Sequence, residues 1–94
     1  MKPAQLIKVL VPKAKDKWPD AETVSVSVTI EFTSLGSDTV KYRVFSMAHR
    51  KHSNNNLAAD SDIISFYAYS INECIKIFEE KVLELKRKEQ IDLD

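Results

Sequence analysis

From Glu22 to Phe32 apolar and polar residues alternate almost without fault, with Val24, Val26, Val28, Ile30 and Phe32 on one side and Thr23, Ser25, Ser27, Thr29 and Glu31 on the other. A period of two marks a half-buried strand. Ser34-Leu35-Gly36-Ser37-Asp38 supplies turn chemistry, and Val40, Tyr42 and Val44 then resume the alternation against Lys41 and Arg43. The pattern predicts a β-hairpin.

Ile63 to Tyr69 supports two readings. Ile64, Tyr67, Ile71, Cys74, Phe78 and Leu85 would form a stripe on one long helix, whereas the Ile, Phe and Tyr content favours a strand. Ser70-Ile71-Asn72-Glu73 has the S-x-x-E form of a capping box, which starts a helix at Ser70. Downstream, Ile71, Cys74, Ile75, Phe78, Val82 and Leu85 line one face and Lys76, Glu79, Glu80 and Glu84 point elsewhere, as far as about Lys88. Residues 89–94 are expected to fray. Gln5 to Val11 reads as a strand by its Ile and Val content, although Pro3 at a first-turn position would also suit a short helix. Asp16 to Ala21 and His49 to Asp62 have loop composition.

These elements predict an α+β fold in a single domain, residues 1–94. A small antiparallel sheet of three or four strands is packed on one face by one C-terminal helix, in the order β-β-β-β-α or β-β-β-α. Val24, Val26, Val28, Ile30, Val44, Ile75, Phe78 and Val82 should form most of the core.

Composition narrows the function. Fourteen Lys and Arg balance fourteen Asp and Glu, which argues against a wholly basic nucleic-acid binder. The single glycine, Gly36, leaves no glycine-rich loop for phosphates or dinucleotides. Met1 to Val11, interrupted by Lys8 and closed by Pro12, has the pattern of neither a signal peptide nor a membrane span. With one cysteine, Cys74, and no glycosylation sequon, a cytoplasmic setting is expected. Charge is uneven: residues 1–51 carry nine bases and five acids, and residues 52–94 five bases and nine acids. The positive half has two tracts, Lys2, Lys8, Lys13, Lys15 and Lys17, then Lys41, Arg43, Arg50 and Lys51, and both could lie on one face.

Catalytic and metal chemistry find little support. His49 and His52, with Cys74 or Asp60, fall short of a paired zinc motif, and the Asp60-Ser61-Asp62 run lacks the further ligands of a calcium loop. Cys74 falls on the apolar helix face, where a buried, inert thiol is expected. No cofactor, metal site or enzyme activity is expected. Three strands followed by a helix resemble the double-stranded-RNA-binding domain, whose helix opens on a lysine-rich phosphate clamp. Ser70-Ile71-Asn72-Glu73-Cys74 departs from that motif, so the chain is not assigned to that family.

A sheet covered on one side leaves an open face and a free edge, which calls for charge, self-association or a partner. The expected function is a non-enzymatic protein-binding module, an adaptor or inhibitor recognising an acidic protein surface. Lys41, Arg43, Arg50 and Lys51 would meet the acids, with Trp18 or Phe45 as apolar contacts. Trp18 has an alternative role closing the end of the core. Homo-oligomerisation through a sheet edge is a further option. The alternative function is binding RNA or single-stranded DNA, with phosphate gripped by the polar sheet face and the loop at 49–52, and bases stacked on Phe45, Tyr67 or Tyr69.

Overall fold

A computed structural model describes residues 2–33, 39–49 and 62–92. The elements run α1 (Pro3–Lys17), β1 (Thr23–Thr33), β2 (Thr39–His49), β3 (Ile63–Ala68) and α2 (Ile71–Asp92). The strands form one antiparallel sheet in the order β1-β2-β3. β1 and β2 pair without interruption from Thr23 opposite His49 to Thr33 opposite Thr39, and β3 pairs with β2 from Met47 opposite Ile63 to Tyr42 opposite Ala68. The α+β class and the antiparallel sheet stand as expected. The turn expected at 34–38 and the segment 50–61 lie outside the described residues.

The N-terminal segment is the main correction: residues 5–11 belong to helix α1 and not to a fourth strand, so two helices pack on the sheet. Pro3 sits in the first turn, where its missing N–H leaves no bond unmade, and the Lys2 amide donates to Gln5 Oε1 at 2.9 Å. The decisive spacing is Leu6, Leu10, Ala14 and Trp18, one residue every four, all of them buried. Asp16 and Lys17, expected in a loop, complete the last turn.

α1 lies over β1 and against α2, while α2 covers β3 and part of β2. Val44, Ala48, Ile64 and Ala68 from the sheet meet Leu6, Leu10, Ala14 and Trp18 from α1 and Cys74, Phe78 and Val82 from α2. Phe66 packs edge-on against Phe78, with ring centroids 6.5 Å apart. Ser46, fully buried on this face, is satisfied by donating to the Ser25 carbonyl at 2.9 Å. Of the expected core, Val44, Phe78 and Val82 are buried and Val24, Val26, Val28 and Ile75 are half-buried. Ile30 is a correction, 36% exposed, and Phe32 beyond it is 78% exposed. The cause is length: eleven strand residues reach ~36 Å, whereas fifteen helical residues cover only ~22 Å, so the hairpin overhangs the helix layer.

α2 begins where expected. The Glu73 amide donates to Ser70 Oγ at 3.1 Å and the Cys74 amide to the Ser70 carbonyl at 3.0 Å, which fixes Ile63–Ala68 as a strand and ends the single-helix alternative. The helix continues to Asp92, past Lys88. Among the described residues no helix is long and apolar enough to cross a membrane.

Candidate functional site

Because successive side chains alternate across a strand, the register fixes which residues share the face turned away from the helices. On β2 they are Lys41, Arg43, Phe45, Met47 and His49. Ser25 and Ser27 of β1 stand opposite Met47 and Phe45, and Ser65 and Tyr67 of β3 stand opposite Phe45 and Arg43. Among the described residues nothing covers this face: Arg43, His49, Ser65 and the β1 row are exposed, and Lys41, Phe45 and Met47 are half-buried by their neighbours.

Two kinds of chemistry are sorted along it. At one end the Lys41 ammonium lies 4.0 Å from the Tyr67 ring centroid and the Arg43 guanidinium 6.0 Å from it, so both cations sit within reach of one aromatic ring that is 48% exposed. Such contacts hold the cations in place without neutralising them. At the other end Phe45, Met47 and Ile63 form an apolar strip. The hydroxyls of Ser25 and Ser27 donate to the carbonyls of Met47 (3.3 Å) and Phe45 (3.5 Å), tying the β1 row to the backbone behind the strip. Glu31, opposite Lys41, is the acidic residue of the face.

Lys41, Arg43 and Phe45 are thus brought together on one strand face, as alternation requires. Arg50 and Lys51 lie outside the described residues and follow directly on His49 in the sequence. Trp18 is a correction as an exposed anchor: it is 1% exposed, capping α1 with its amide bonded to the Ala14 carbonyl at 3.0 Å, so it takes the core-closing role. The first basic tract does not share a face with Lys41 and Arg43, the described part of the second. Lys13 pairs with Glu79 at 2.6 Å and Lys17 is 5% exposed with its ammonium 5.7 Å from the Trp18 ring, both in the helix layer on the far side of the sheet from Lys41. Met47 and Ile63 are absent from the residues expected at the site, and Tyr67 is expected there only for stacking bases. Parity carries the signal that would have found them, since an inward Ile64 and Phe66 force Ile63 and Tyr67 outward.

Elsewhere, a cavity of about 320 Å³ opens between α1 and α2, lined by Lys13, Asp16, Glu79, Val82, Leu83 and Lys86. Its charges are matched across the helices, Lys13 with Glu79 and Lys86 with Asp16 at 3.2 Å, leaving no unbalanced charge directed at a ligand. Cys74 is fully buried, and burial, reinforced by the negative charge of Glu73, pushes its thiol above the ordinary value, opposite to the direction a nucleophile needs. Among the described residues no three His, Cys, Asp or Glu side chains converge as metal ligands; His52 and Asp60 lie outside them. The first turn of α2 carries Asn72 and Glu73 where a phosphate clamp would carry lysines. No family model, no curated protein and no solved structure matches this chain.

Proposed function

We propose that this protein is a non-enzymatic binding module whose outer sheet face recognises a protein segment bearing both acidic and apolar side chains. The observation that carries this reading is the pairing, on one uncovered face, of Lys41 and Arg43 held over Tyr67 with the Phe45, Met47 and Ile63 strip. Cations already positioned by an aromatic ring lose less side-chain freedom on meeting a carboxylate, and the adjoining strip gives an apolar residue a place to bury. Arg50 and Lys51 follow His49 in the sequence, at the Met47 end of β2 and not at the Lys41 end, and carry no part of this reading.

Single-stranded nucleic acid is the second reading, favoured by the exposure of Tyr67 next to two cations. It is the weaker one. A polyanion needs a basic track along its backbone, and among the described residues the outer face offers Lys41 and Arg43 against Glu31 on a chain with no net charge. Affinity capture from nuclease-treated lysate separates the two. A protein partner survives the nuclease and is lost from a Lys41→Glu/Arg43→Glu variant whose circular dichroism is unchanged. Recovery of nucleic acid alone from untreated lysate refutes the protein reading.

A further inference from the structure

We propose that two copies of this chain associate through the outer edge of β1, joining their sheets into one six-stranded antiparallel sheet. β1 pairs with β2 along one side only, and among the described residues no strand pairs with its other side. Free edges of this length are normally protected by Lys, Pro or a bulge. Over Thr23–Thr33 there is no Lys, Arg or Pro, the pairing with β2 has no bulge, and Glu31 is the only charge.

The flank of α1 on that side has an apolar base, with Lys8 and Lys15 exposed above it. The ion pairs Lys13 to Glu79 and Asp16 to Lys86 turn the Lys13 and Asp16 side of α1 towards α2. Helical spacing then turns Ile7 and Val11, both half-buried, the opposite way, above the free edge of β1.

A second copy fits this edge because a twofold axis normal to the sheet makes the pairing antiparallel and self-complementary. With Val28 opposite Val28 of the second copy, the whole strand is paired. Ile30 and Phe32, which overhang the helix layer, then lie beside Val26 and Val24 of the second copy, where α1 of that copy covers its β1. The uncovered end of each hairpin meets the covered end of the other, against the Ile7 and Val11 flank. On the outer face Glu31 meets Ser25 and Ser27 meets Thr29, so no like charges are opposed. A seam ~36 Å long and about 15 Å deep removes roughly 500 Å² from each copy, about 1,000 Å² in all, the lower bound for a specific interface. The faces bearing Lys41, Arg43 and Tyr67 stay open, so the proposed partner site and this interface can fail independently.

Sedimentation equilibrium of the full chain, with oxidative cross-linking, tests the proposal. The expected results are a species of about twice 10.7 kDa at micromolar concentration and a covalent dimer from the Ser27→Cys/Thr29→Cys variant, the buried Cys74 remaining silent. Phe32→Lys should weaken the dimer at least tenfold while leaving the circular dichroism of the monomer unchanged, its site being 78% exposed, and Ile7→Lys should add to the loss. A chain that stays at 10.7 kDa at 100 µM overturns the proposal, as does a dimer that neither cross-links nor responds to Phe32→Lys.

Discussion

Replacing Pro12 by alanine should stabilise the protein. Pro12 is the tenth residue of the fifteen in α1, well inside the helix, so it cannot donate to the Lys8 carbonyl and its ring crowds that group. The helix continues because Pro12 faces solvent, where a displaced carbonyl can turn to water. An interior proline costs about 3 kcal/mol relative to alanine, and the greater freedom that alanine gives the unfolded chain takes back about 0.4–1 kcal/mol, leaving a net gain of about 2 kcal/mol. Since the ring is exposed, little packing is lost. Urea melts should show the midpoint rising by about 1 M at unchanged slope, and thermal melts a rise of about 10 °C. A variant that is less stable than the parent would be incompatible with a helix running through Pro12, because a strand or loop there gives proline no such penalty.

Three further outcomes follow from the core and its edges. Ser70→Ala removes the acceptor of the Glu73 amide and should lower stability by about 0.5–2 kcal/mol in urea melts, with no effect expected from the exposed Asn72→Ala. Trp18, the single tryptophan and 1% exposed, should emit at short wavelength in the folded state and shift to the red on unfolding, and Trp18→Ala should cost about 3–5 kcal/mol. The raised Cys74 thiol means that the folded state holds its proton more tightly than the unfolded chain does. Its contribution is therefore intact below the ordinary thiol range and declines as pH rises through and above that range, a decline that Cys74→Ala should reduce.

The hairpin, β3 and the start of α2 were legible because each rests on a local signal: alternation over eleven positions, β-rich composition and a capping box. The first helix was not, because the apolar run Leu6 to Val11 is rich in Ile and Val, and the helical period emerges only when Ala14 and Trp18 are counted with Leu6 and Leu10. A small residue and a tryptophan beyond a proline do not advertise themselves as one face. The exposure of Ile30 depends on the relative lengths of α1 and β1, which alternation within the strand does not encode. At the candidate site, Lys41, Arg43 and Phe45 follow from parity on one strand. Tyr67 needed the cross-strand register, which places it opposite Arg43. Trp18 is a surface anchor or a core residue depending on whether residues 16 and 17 continue a helix, so the error at α1 carried over to the site.

Whether the outer face of the sheet is the binding surface is read most directly by amide chemical-shift mapping of the isotopically labelled chain. The probe is a ten-residue peptide alternating Glu with Phe and Leu, with a ten-residue oligouridylate as comparison. Peptide-induced shifts should concentrate at Lys41–Met47 and Ile63–Tyr67 and be abolished by Lys41→Glu/Arg43→Glu, with weaker shifts from the oligonucleotide. Shifts confined to α1 and α2, or a response to the oligonucleotide alone, would contradict it.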